Sequence, residues 1–151
     1  MIIRSSSREE TINAGLKLGR LLKKGDIVCL NGELGSGKTV FVAGIAAALG
    51  VGGYITSPTF TIINEYKARI PLYHFDAYRI ANPEEMYELG FEEYIDGNGI
   101  VVIEWADLIR DVLPDEYISV DISRDKEGSE NNRIIKIDFR GEKYAEYEYM
   151  F

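Results

Sequence analysis

Eight residues, Gly32-Glu33-Leu34-Gly35-Ser36-Gly37-Lys38-Thr39, constrain this chain more than any others. They fit the pattern G-x-x-x-x-G-K-[ST] without a mismatch. Their context is the one the pattern requires. Asp26-Ile27-Val28-Cys29-Leu30 ahead of them is a short apolar run of the kind a buried strand makes. Thr39 to Leu49 behind them is alanine- and valine-rich, of helical length, and closed by Gly50. The glycines let the backbone curl so that successive N–H groups point inward, and the helix start adds a partial positive charge. In such a loop the amides from Glu33, Leu34, Gly35, Ser36 and Gly37 cradle phosphates. Lys38 neutralises the β- and γ-phosphates, and the Thr39 hydroxyl meets Mg²⁺.

The remaining segments predict an α/β domain. Ser7 and Glu10 have capping-box spacing ahead of a first helix over 8–24, with Lys23-Lys24-Gly25 as its stop. Thr59 to Tyr66 and Ile70 to Phe75 read as a hairpin around Lys67-Ala68-Arg69. Asn82-Pro83 opens a short helix through Leu89. Ile100 to Ile103 is a second buried strand, Ala106 to Val112 a helical turn, and Tyr117–Ser123 with Arg133–Phe139 a pair of strands. The last ten residues, 142–151, carry no assignment. Strand, glycine loop, helix and further strands predict a three-layer P-loop NTPase fold, with a mixed β-sheet flanked by helices. A length of 151 residues predicts one domain, 1–151.

Charge narrows the partners. Seventeen Lys and Arg face 25 Asp and Glu, for a net charge of −8, so a chain that grips nucleic acid by itself is disfavoured. The longest apolar run, Val40 to Leu49, is far short of a membrane span. No signal peptide is visible at the N-terminus. The single cysteine, Cys29, cannot form an internal disulfide, and a cytoplasmic protein is expected.

A phosphate loop needs an acid for its metal, and Ile100-Val101-Val102-Ile103-Glu104 supplies one at a strand end. Glu104 reads as an Mg²⁺ ligand, directly or through water. Asp76, in His74-Phe75-Asp76-Ala77-Tyr78-Arg79, follows another strand. Spacing alone favours a turn-capping aspartate; the other reading has it positioning or deprotonating an attacking water, or joining the metal shell. His74, the only histidine, reads as a satisfied structural one. The hydroxyl-rich Thr56-Ser57-Pro58-Thr59-Phe60-Thr61 is either an ordinary strand entry or a loop that orders around a γ-phosphate. The six acids from Glu84 to Asp96 read as a solvated face by default.

Together, Gly32–Thr39, Ser57-Pro58-Thr59-Phe60-Thr61, Asn64-Glu65-Tyr66, His74–Arg79 and Ile103-Glu104-Trp105 resemble the TsaE (YjeE) family, in order and over nearly the whole chain. The resemblance implies an ATPase of tRNA threonylcarbamoyladenosine (t6A) biosynthesis that binds ATP or ADP with Mg²⁺ and is weak alone. It implies TsaD and TsaB as protein partners, with tRNA met only through that complex. By position, it makes Asp76 and Glu104 the catalytic acids and Thr39 and Glu104 the metal residues. Ser57, Thr59 and Thr61 form the switch-like loop, Trp105 lies near the nucleotide, and Thr11 lies by the adenine.

Two rivals use the same loop. A small-molecule kinase needs arginines in a lid, and the nine arginines here are scattered. A GTP-dependent switch needs an Asn-Lys-x-Asp element, which is absent.

Overall fold

In a computed structural model describing residues 1–151, the chain forms a seven-stranded mixed sheet with helices on both faces. The strands are β1 (Ile2–Ser5), β2 (Ile27–Asn31), β3 (Ile63–Tyr66), β4 (Leu72–Asp76), β5 (Ile100–Glu104), β6 (Tyr117–Arg124) and β7 (Arg133–Arg140). Their order is β1-β7-β6-β2-β5-β4-β3. The central strands β6, β2, β5 and β4 run parallel, and antiparallel β1, β7 and β3 finish the edges. The two innermost strands, β2 and β5, are apolar up to their last residue because they are buried on both faces. Val28, Leu30 and Val102 enter the core on one face, and Ile27, Cys29, Val101 and Ile103 enter the core on the other.

The first core lies under α1 (Arg8–Gly19) and α2 (Lys38–Ala48), the helix that follows the glycine loop. These two helices touch backbone to backbone. A Cβ on Gly15 would stand 2.1 Å from the Phe41 carbonyl oxygen, and one on Gly44 would stand 2.0 Å from that of Ile12. The second core lies under α3 (Glu85–Glu88), α4 (Phe91–Ile95) and a 3₁₀ segment at Ala106–Val112. There Phe75 meets Phe91 and Tyr94 edge to face.

Several predicted boundaries move, each for a physical reason. The Ser7 cap holds, with its hydroxyl accepting from Glu10 N at 3.2 Å, but α1 ends at Gly19 rather than 24. Residues 20–25 turn instead, which buries Leu22 and brings the Lys23 amide onto Asp26 at 2.8 Å. The strand predicted from Thr59 begins only at Ile63, because the hydroxyls before it bond side chains rather than joining a ladder. Asn82 does cap, accepting from Glu84 N at 3.2 Å, but the helix proper starts at Glu85. Strand β1 was not anticipated.

The last ten residues also find a place. They form a short 3₁₀ turn and α5 (Tyr147–Met150) against the amino end of β2. Tyr144 Oη accepts from Ile27 N at 3.1 Å, and Tyr147 Oη donates to the buried Asp26 at 2.6 Å. Burial pushes both phenols above the usual tyrosine range. Removing the donor with Tyr147→Phe leaves Asp26 short of a partner, at a cost of about 1–3 kcal/mol. Thermal unfolding should show a melting temperature lower by roughly 2–10 °C. Because the folded-state phenol values are raised, their stabilising contribution is complete below about pH 10 and declines as pH rises above it. Cys29 is buried, and its thiol is likewise pushed up by burial.

Candidate functional site

The site forms at the carboxyl ends of the parallel strands, where β2 runs into the glycine loop. Gly37 caps α2 in the left-handed region, at φ 109°, and the helix starts without a side-chain cap or an acid in its first turn. The first N–H groups of α2 therefore lack the partners a helix start normally recruits. Ser36 Oγ, buried within the loop, has no hydrogen-bond partner. Uncompensated donors around a curled backbone are the chemistry of an anion cradle.

A cavity of about 380 Å³ opens beside this loop. Its wall takes Leu34, Gly35, Gly37, Lys38 and Thr39 from the loop and helix, and Asp76 and Glu104 from the ends of β4 and β5. Val40, Ser57, Thr59, Tyr78 and Trp105 complete it. The acids meet because β4 and β5 pair in parallel with Asp76 opposite Glu104.

Lys38 Nζ donates to the Gly32 carbonyl at 2.6 Å and the Glu33 carbonyl at 3.0 Å, and lies 4.2 Å from the centre of the Trp105 ring. Burial pulls the ammonium below the usual lysine range, against the opposing pull of Glu104 and Asp76. A partly desolvated cation bonded to neutral oxygens beside a ring face is poised to donate to anionic oxygens instead.

Thr39 Oγ1 lies 3.1 Å from both carboxylate oxygens of Glu104 and donates to that group. Asp76 is held from three sides. Its Oδ2 accepts from Ser57 and Thr59 hydroxyls, each at 3.0 Å, and its Oδ1 accepts from Tyr78 N at 2.9 Å. Two non-glycine residues adopt positive φ, Trp105 at 57° and Ile62 at 69°, one at each flank of the site. For β-branched Ile62 this is strained backbone, of order 1–3 kcal/mol. Its amide and carbonyl bond Pro58 and Asp76, which ties the hydroxyl loop to β4.

The donor set suits a hard divalent cation. A hydroxyl and a carboxylate in contact, with a second carboxylate nearby, are oxygen ligands of the Mg²⁺ type. No group of three or more His, Cys, Asp or Glu forms a cage.

Not every anticipated residue lines this cavity. Thr11 lies across the loop, in a second cavity of about 200 Å³ with Ser7, Arg8, Gly35, Ser36, Gly37, Asn131 and Arg133. Its hydroxyl is taken by Ser5 at 2.6 Å. Glu33 faces the outer side of the loop, and Thr61 turns away to Asn64.

The family model described as "Threonylcarbamoyl adenosine biosynthesis protein TsaE" matches residues 5–135. The chain belongs to the TsaE family. A relative from Treponema pallidum, named tRNA threonylcarbamoyladenosine biosynthesis protein TsaE, is 42% identical over 118 residues, covering 78% of this chain and 87% of the relative. A Bacillus subtilis protein of the same name is 43% identical over 122 residues, covering 80% and 76%. The crystal structure of Bacillus subtilis YdiB superposes with a TM-score of 0.85 at 35% identity, over 99% of this chain and 93% of that one.

For this TsaE-family chain, two contributions to the site escaped sequence reasoning. Arg133 Nε donates to the Ser36 carbonyl at 2.8 Å, bracing the loop from β7. His74, expected to be a satisfied core histidine, instead places Nε2 2.5 Å from Glu104 Oε2 and leaves Nδ1 without a partner. The alternation of β4 held a signal for the second, since it puts His74 and Asp76 on one face. Nothing local marked Arg133.

Proposed function

We propose that this chain is the Mg²⁺-dependent, ATP-binding and ATP-hydrolysing component of tRNA t6A modification. It acts as one domain, 1–151, in the cytoplasm. It supports the TsaB–TsaD complex in modifying the adenosine next to the anticodon and reaches tRNA only through that complex. The observation that carries this reading is the convergence of Lys38, Thr39, Asp76 and Glu104 on one cavity beside an uncapped glycine loop.

Each residue then has a task. The amides of Glu33 to Gly37 hold phosphate oxygens, and Lys38 exchanges its two carbonyl partners for the β- and γ-phosphates. Thr39 and Glu104 hold Mg²⁺, which when bound neutralises developing charge on the phosphates. Asp76 orients the attacking water or takes its proton. Ser57 and Thr59, bonded to Asp76, form the part of the switch-like loop that senses the γ-phosphate. Thr61, whose hydroxyl donates to Asn64, completes that loop. Trp105 packs against Lys38 and Tyr78, and the smaller cavity past Gly37 takes the adenosine beside Thr11. A kinase is the weaker reading, because no arginine lines the larger cavity.

Steady-state ATPase measured with and without purified TsaB and TsaD tests the assignment. Turnover should be slow for the chain alone and rise at least tenfold with the pair. A rate indifferent to both partners would remove them from the proposal, while leaving nucleotide binding to be judged separately.

A further inference from the structure

His74 is completely buried in the middle of β4, yet only one of its two ring nitrogens is hydrogen-bonded. A leucine or phenylalanine would fill that position without stranding a polar atom, so histidine is a poor choice for packing alone. Its one bond goes to Glu104 Oε2, across the β4–β5 pairing that sets His74 opposite Val102 and Asp76 opposite Glu104. A carboxylate oxygen only accepts, so the imidazole donates through Nε2–H.

The partner explains why such a donor is needed. Glutamate carries one methylene and one torsion more than aspartate, so a Glu at this strand end has more orientations to choose from. Oε2 is held by His74 and also lies 3.1 Å from Thr39 Oγ1, so the carboxylate faces α2, and Oε1 has Thr39 Oγ1 as its only partner. The geometry points to His74 as a positioning residue for the divalent cation, fixing the Glu104 carboxylate so that Oε1 and the Thr39 hydroxyl are presented together. It rests on the reading of Glu104 and Thr39 as the Mg²⁺ residues. Orientation of metal ligands by a second layer of hydrogen bonds is a general device, met here with imidazole as donor and carboxylate as ligand.

Calorimetric titration of ADP into the full chain, at a series of Mg²⁺ concentrations and in EDTA, separates the possibilities. Three variants are needed. His74→Leu removes the donor, His74→Asn keeps an amide too short to reach Glu104, and His74→Gln places an amide near the Nε2 position. ADP affinity in EDTA should stay within about twofold of the parent for all three. The Mg²⁺ concentration giving half of the metal-dependent gain should rise about 10- to 100-fold in His74→Leu and His74→Asn. His74→Gln should recover most of it. An unchanged Mg²⁺ midpoint in His74→Asn, or a His74→Gln as impaired as His74→Asn, would overturn the proposal and make the residue one of packing. Should His74→Leu fail to fold, the Asn–Gln pair decides alone. A parent protein whose ADP affinity ignores Mg²⁺ would instead sink the metal reading itself.

Discussion

Lys38→Ala should weaken ATP binding drastically. The side chain reaches the centre of the loop, where its ammonium is partly desolvated and bonded to two carbonyls beside an aromatic face. A phosphate arriving there meets a charge that has little to lose. Truncating one member of a buried, hydrogen-bonded charge pair typically costs about 2–5 kcal/mol, much of it from the partner left alone. That corresponds to roughly 30- to 4,000-fold in affinity. The substitution also frees the Gly32 and Glu33 carbonyls, so part of the loss comes from a loop that no longer holds its curl. Calorimetry or equilibrium dialysis with ATP and Mg²⁺ measures it, and an affinity equal to the parent's would refute the task given to this lysine.

Glu104→Ala and Asp76→Ala should behave differently from Lys38→Ala. Neither residue contributes an amide or a cation to the phosphate cradle, so nucleotide binding should remain measurable. Hydrolysis should fall by roughly 10²- to 10⁴-fold, the scale of losing a positioned base or an electrostatic group in the transition state. The two have distinct reasons. Glu104 shares its carboxylate with Thr39, so its loss removes half of the oxygen pair offered to the cation. Asp76 anchors Ser57 and Thr59, so its loss removes a base and releases the loop beside it. Single-turnover measurements with saturating ATP separate binding from cleavage. Normal turnover in both variants would take them out of the mechanism.

What the sequence made legible follows the range of the interactions involved. The glycine loop, β2, α2 and the β6–β7 pair depend on patterns within a dozen or so residues, and they stand where expected. The glutamate at the end of an apolar strand was readable because a buried strand ends at the edge where such sites form. Strand β1 was not, since four residues make a strand only by pairing with Arg133–Lys136, far along the chain. The same holds for the tail, whose tyrosines are ordered by Asp26, and for Arg133, whose partner is a loop carbonyl 97 residues away. His74 is the instructive case. Its burial was anticipated, but its meaning lies in a carboxylate on the neighbouring strand, and one sequence read by itself does not tell which strands are neighbours.

The bare-backbone contact of Gly15 and Gly44 bears on how the site is entered. With no side chains between them to re-pack, α1 and α2 form a fixed jaw; α2 lines both cavities that flank Gly35–Gly37, and α1 lines the smaller one. The opposite jaw, Ser57 to Thr61, is tethered by hydroxyls and by one strained isoleucine at the margin of the second core. On the proposed reading, the hydroxyl side is therefore the one whose bonds a bound nucleotide competes for.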